Sequence, residues 1–316
     1  MAQTIFIGIA AGLAAALLFL SPESGTFLAF PLFALTGLPI AIVGLGWGVI
    51  AAGVAALAGA AVIFFALPGA LTGFVFLALF GVPMVWLTRL AGLSRAPDGA
   101  GATREWFPLG RLLLHTVFAA AIGVVCVGIL SGYTSEGMVQ DATVALSEAL
   151  AQLQSATPPP TQTEIEPLVR LYVTLLPFLT AILMVAITAF DLWLAAIVAR
   201  ASSRFQRPAD RFPMVILPNE ILVGFVVAFV LAFLPGAFGG IAAVFAGAFA
   251  AGLMFVGLAV LHVVTTGMGG RTPLLAVVYT LIILSGLPIV LFALLGASET
   301  FLHLRARRLT HQRKPD

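Results

Sequence analysis

The chain has 316 residues, 61% of them hydrophobic and only 9% charged, with a formal net charge of +2 and a mean hydropathy of +1.14. A soluble domain carries roughly 25% charged residues, so this composition excludes an ordinary water-soluble protein. What remains is a chain dissolved in lipid, whose arginines gather in loops as topology signals rather than forming a nucleic-acid surface.

Nine hydrophobic segments follow in chain order, at roughly 4–20, 27–43, 46–66, 70–88, 109–131, 168–199, 214–234, 238–262 and 273–296. A helix needs about 20 apolar residues to cross the hydrocarbon core. The first segment reads as a span and not a cleaved leader. Met1 to Leu20 lacks a basic start, and no small-x-small site precedes a polar mature domain. Ser21-Pro22, Gly37-Leu38-Pro39, Leu67-Pro68-Gly69 and Leu234-Pro235-Gly236 favour turns. Such breaks belong at interfaces or inside the bundle, because lipid cannot satisfy freed backbone groups.

Arg89, Arg95, Arg104 and Arg111 mark one basic loop; Arg200, Arg204, Arg207 and Arg211 mark another. The positive-inside rule places both in the cytoplasm, with two spans between them. Between those spans lies the long polar stretch 132–166, which carries Glu136, Asp141, Glu148, Glu164 and Glu166 and belongs outside. Within it Met138, Ala142, Leu146, Leu150 and Leu153 repeat at helical spacing, and Thr157-Pro158-Pro159-Pro160 forms a stiff break. This predicts an amphipathic outer helix, either resting on the membrane surface or bundle or serving as a lid or docking element.

Arg305, Arg307, Arg308, Arg313 and Lys314 signal a cytoplasmic tail, yet three segments follow the second arginine loop, an odd number. The conflict resolves if one element fails to cross, and the proline-interrupted stretch 214–262 is the suspect. The expected fold is all-α: one integral membrane domain over 1–316, with about eight full spans, one short or re-entrant helix, both termini in the cytoplasm, and 132–166 outside the bilayer. The Ala, Gly and Arg bias points to a GC-rich bacterial genome and hence an inner membrane.

Asp191 is the clearest polar residue within a span, where an ionisable side chain is costly to bury. It reads either as a partner for an arginine or backbone donor on another helix, or as the lining of a polar cavity with Thr188 on the same helix. Glu220, after Pro218-Asn219, reads as a helix-start acid or as a second lining residue. Gly8 and Gly12, Ala51, Ala55 and Gly59, and Gly239, Ala243, Gly247 and Ala251 recur at four-residue spacing, which lets helices approach closely within the chain or across a dimer. The single cysteine, Cys126, excludes a disulfide, and the scattered histidines form no ligand pair. No nucleophile motif, zinc motif or phosphate loop occurs, so neither catalysis nor a cofactor is expected. The expected partners are the lipid bilayer and a membrane protein or a separate energising ATPase module.

Leu38-Pro39-Ile40-Ala41-Ile42-Val43-Gly44-Leu45-Gly46-Trp47-Gly48 resembles the early helices of the YybS-like family, bacterial membrane proteins of unknown function. Glu105-Trp106-Phe107-Pro108-Leu109-Gly110-Arg111, Arg207-Pro208 with Leu217-Pro218, Gly257 to His262, and Leu295-Gly296 with Phe301 to Arg305 are similar to its alphaproteobacterial form. Through the Leu-Pro-Gly-rich phrase that family is distantly similar to the S components of energy-coupling-factor vitamin transporters and to the cell-shape protein MreD. The resemblance implies a compact bundle, with a transport-type or small-molecule-binding role. Its alternative is a non-catalytic scaffold in envelope growth or division.

Overall fold

The computed structural model describes residues 1–67, 69–95, 104–152, 161–209, 215–218, 220–286, 288–302 and 305. It is helical throughout, apart from a two-stranded ladder. The helices are α1 (Ala2–Phe19), α2 (Ala29–Phe33), α3 (Leu38–Trp47), α4 (Val49–Ala66), α5 (Ala70–Phe76), α6 (Val82–Gly92) and α7 (Leu109–Leu130). They continue with α8 (Ser135–Gln152), α9 (Gln162–Ala201), α10 (Glu220–Leu231), α11 (Ala237–Val264), α12 (Arg271–Ser285) and α13 (Pro288–Leu302). The strands, β1 (Ser94–Arg95) and β2 (Glu105–Trp106), pair antiparallel, with Ser94 opposite Trp106.

Among the described residues, seven stretches are long and apolar enough to cross a membrane: α1, α2 with α3, α4, the run Leu71–Gly92, α7, α9 and α11. Three shorter apolar helices, α10, α12 and α13, stand beside them, and the whole is the expected all-α polytopic bundle. The suspect stretch 214–262 divides unevenly. Among the described residues, 12 of its first part form a helix, α10, whereas α11 is the most enclosed of the seven long apolar helices. A second departure lies in 273–296, which is not one span but two 15-residue helices meeting at Gly286, whose left-handed φ of 66° ends α12. Proline and glycine set these limits, since neither propagates a helix through a turn.

Close glycine contacts hold the bundle together. A Cβ at Gly12 would lie 2.5 Å from the Ala55 carbonyl oxygen, and one at Gly8 2.8 Å from that of Ala51, so α1 and α4 meet backbone to backbone. On α11, Gly247 rests on the Phe178 carbonyl of α9, and Gly257 and Gly296 bring α11 against α13. The small residues therefore serve packing within the chain. Phe19, Phe33, Phe76 and Phe80 fill the core beside α1, with ring centroids 5.4–6.5 Å apart. Leu77–Gly81 forms a π turn that interrupts the fourth span between α5 and α6.

The 40 residues of α9 span about 60 Å at 1.5 Å per residue, twice the hydrocarbon thickness of about 30 Å. Its N-terminal end runs on as one arm of a hairpin with α8. Val139 packs there with Ile165, Val169 and Val173, and Leu150 lies partly buried against them. The hairpin closes with a capping box between Thr161 and Glu164, a bond from the Tyr133 hydroxyl to the Val173 carbonyl, and ion pairs from Arg170 to Glu136 and Glu166. Of the expected outer-helix residues, Met138 and Leu146 are exposed, and Leu150 joins the seam. Leu153 and the proline break lie outside the described residues. The helix thus rests on α9.

Candidate functional site

Asp191 is completely buried, on the face of α9 that packs against α3 and α6. The sequence builds its surroundings by breaking the second span. Residues 34–37 form turns, so α2 stops at Phe33 and α3 begins again at Leu38, with Pro39 in its first turn. Proline suits that position because its missing N–H would be unsatisfied there anyway. The break leaves the N-terminus of α3 inside the bundle, where its exposed amides carry partial positive charge.

The Asp191 carboxylate lies against this terminus. A Cβ built on Gly37 would stand 2.7 Å from Asp191 Oδ2 and 2.6 Å from the Met84 methyl group of α6. Gly37 has an ordinary φ of −73°, so what disfavours a larger residue here is the close approach of the Met84 and Asp191 side chains and not backbone conformation. The Gly37 amide faces the carboxylate, but neither oxygen completes a well-aligned hydrogen bond among the described residues. A partnerless buried acid is rare, since most buried polar atoms find a partner.

Threonines flank it. Thr188, one turn earlier on α9, is buried; Thr36, just before Gly37, is buried with its hydroxyl on the Phe33 carbonyl at 2.6 Å. One heptad further along α3, Gly44 rests on Thr88 of α6, whose hydroxyl bonds the Met84 carbonyl at 2.7 Å. The site is thus an acid, a helix terminus without a side-chain cap, and nearby threonines, of which Thr36 and Thr88 bond backbone carbonyls.

No family model matches this chain, and no curated protein or solved structure matches it.

Of the expected cavity residues, the structure brings Asp191 and Thr188 together. Glu220 is exposed at the first residue of α10, which packs chiefly on α11, so it takes the helix-start role and does not join Asp191. Gly37, Met84 and Thr36 complete the surroundings. The Gly37-Leu38-Pro39 break was visible in the sequence, but its pairing with Asp191 was not. Among the described residues, no group of three His, Cys, Asp or Glu side chains could hold a metal ion.

Proposed function

We propose that this chain is a transport-type or small-molecule-binding protein of a bacterial inner membrane, coupled through the Asp191 carboxyl to a proton or a small monovalent cation. The observation that carries this reading is the fully buried carboxyl, with no well-aligned hydrogen-bond partner among the described residues, facing a helix broken in mid-span. A bare anion in so dry a place is costly, and a proton or a bound cation removes the cost. Broken helices recur at the midplane sites of transporters, where half-helix ends face substrates and coupling ions. The likeness to S components supports the same reading and implies a separate energising module. The arginine loops and the tail face the cytoplasm in this reading. Arg305, at the base of the tail, supports that placement by donating to the Val215 carbonyl, close after the second arginine loop.

The test is labelling of purified protein with dicyclohexylcarbodiimide, which attacks protonated buried acids, followed by peptide mass spectrometry. An adduct at Asp191, absent in Asp191→Asn, supports the reading; protection by sodium but not by choline would name the cation. No adduct under any condition would mean that Asp191 is an anion capping α3, and the coupling role would fall.

A second reading rests on the α8–α9 hairpin, which projects far beyond bilayer thickness and suits a scaffold that recruits envelope-growth proteins. Deleting 137–160 should then abolish recruitment while leaving carbodiimide labelling intact. Unchanged recruitment would count against it.

A further inference from the structure

A cavity opens on the arginine-bearing face, beyond Asp191, and shares with its surroundings only the Gly44–Thr88 contact. Its volume is about 340 Å³, within the range of small-ligand sites. The ends of α3 and α6 form its floor through Gly44, Gly48 and Thr88, and its walls carry Arg89, Ser94, Arg104, Trp106 and Gln206. Gly48 turns the chain from α3 into α4 with a φ of 92°, so a bulkier residue is disfavoured there.

Local folding holds the polar groups in place. The β1–β2 ladder sets Trp106 opposite Ser94, and the Phe107 amide bonds the Leu93 carbonyl at 3.0 Å. After α9, Ser203 adopts a left-handed φ of 55°, and the Phe205 amide turns back to the Ala199 carbonyl. That reversal lays Phe205 edge-on to Trp106, with ring centroids 6.4 Å apart. Arg104 then bonds Gln206 at 3.3 Å and lies over the Trp106 ring at 5.8 Å. Both anchors are neutral, so the Arg104 charge is positioned without being neutralised. Arg89 makes no ion pair among the described residues, and no carboxylate among them lines the cavity.

We propose that this pocket binds a phosphoryl group, held between Arg89 and Arg104 with the Ser94 hydroxyl and the Gln206 amide as further donors. Guanidinium groups offer planar forked donors that match phosphate oxygens, and charge-assisted bonds of this kind are the strong ones. The Trp106–Phe205 wall suits the apolar remainder of the ligand. Two sources share this chemistry: the headgroup of an anionic lipid in the cytoplasmic leaflet, and a soluble phosphorylated molecule.

The experiment titrates purified protein in phosphate-free detergent buffer with dihexanoyl phosphatidic acid and, separately, with glycerol 3-phosphate. Dihexanoyl phosphatidylcholine is the control, and isothermal calorimetry the readout. Saturable binding should weaken about tenfold or more in Arg89→Gln and in Arg104→Gln, because hydrogen bonds to charged groups contribute about 1.5–3 kcal/mol each. Arg95→Gln, on the adjacent strand but outside the lining, should change affinity by less than about twofold, as expected of screened surface charge. Binding of the lipid probe alone assigns a headgroup; binding of both assigns a soluble phosphoryl ligand. Saturation by neither probe, or equal losses in Arg95→Gln and Arg89→Gln, would overturn the proposal. Gel filtration and circular dichroism of each variant confirm that it is folded.

Discussion

Asp191 on α9 occupies the space that a side chain at Gly37 on α3 would need. A Cβ at position 37 would come within 2.7 Å of the carboxylate and 2.6 Å of the Met84 methyl. Neither contact is tolerable without movement, so the acid and the glycine are a matched pair. The span break at 34–37 and the buried charge are two sides of one arrangement.

Gly37→Ala should therefore destabilise the bundle by about 1–3 kcal/mol, the usual cost of overpacking a core. The measurement is thermal denaturation in detergent. Combining Gly37→Ala with Asp191→Ala should recover part of the loss, and with Met84→Ala another part. Asp191→Asn, being isosteric, should recover none. A Gly37→Ala protein as stable as the parent would mean that α3 and α9 do not meet as described.

Thr143 gives a prediction of opposite sign. It is 7% exposed in the α8–α9 hairpin, and its hydroxyl has no hydrogen-bond partner among the described residues. A buried unsatisfied polar group costs about 1–3 kcal/mol. Thr143→Val keeps the shape and removes that cost. Backbone exchange over α8 should slow several-fold, with no change in the melting of the membrane bundle. Faster exchange would show that the hydroxyl is satisfied in solution.

The membrane class was legible from composition alone, because a chain with 9% charge has no way to cover a wetted surface. The breaks at Gly37-Leu38-Pro39 and Leu234-Pro235-Gly236 were legible for the same kind of reason, as proline and glycine act locally. The division of the last apolar segment was not. Whether 273–296 crosses as one helix or folds as α12 and α13 turns on Gly286 adopting left-handed backbone, which apolar composition does not report. Asp191 stood out because acids are rare in lipid, but its meeting with Gly37 joins residues far apart in the chain. Glu220 looked similar in sequence and is exposed, since only packing separates a helix-start acid from a buried one. The phosphoryl pocket was missed for a related reason. Its arginines were read as topology signals, and nothing in their spacing tells that Arg89 and Arg104 line one cavity.

The α11–α13 contact should be the least tolerant in the bundle. Gly257 rests on the Phe292 carbonyl and Gly296 on that of Leu253, so backbone meets backbone with no flexible side chain to give way. Small residues at such crossings replace the hydrophobic drive that lipid lacks. Gly296→Val should cut the yield of monodisperse protein sharply, whereas Gly128→Val on α7, where a Cβ meets nothing within 4 Å, should not. Equal yields would refute the close crossing.

Glu299 and Arg305 form the last constraint. Their side chains are 9% and 11% exposed, 2.8 Å apart, and Arg305 also donates to the Val215 carbonyl at 2.7 Å. Removing one partner of a buried pair leaves the other charge less compensated and is destabilising, by up to about 3–5 kcal/mol when nothing else holds it. Glu299→Ala should lower the melting temperature and open the end of α13 to limited proteolysis. Arg305→Met alone strands the Glu299 carboxylate in the same way and should cost a similar amount, but it should partly rescue Glu299→Ala when the two are combined, because there it removes the charge left behind. Additive losses in the double variant would show that the two residues act separately, and that the base of the tail is held by something other than this pair.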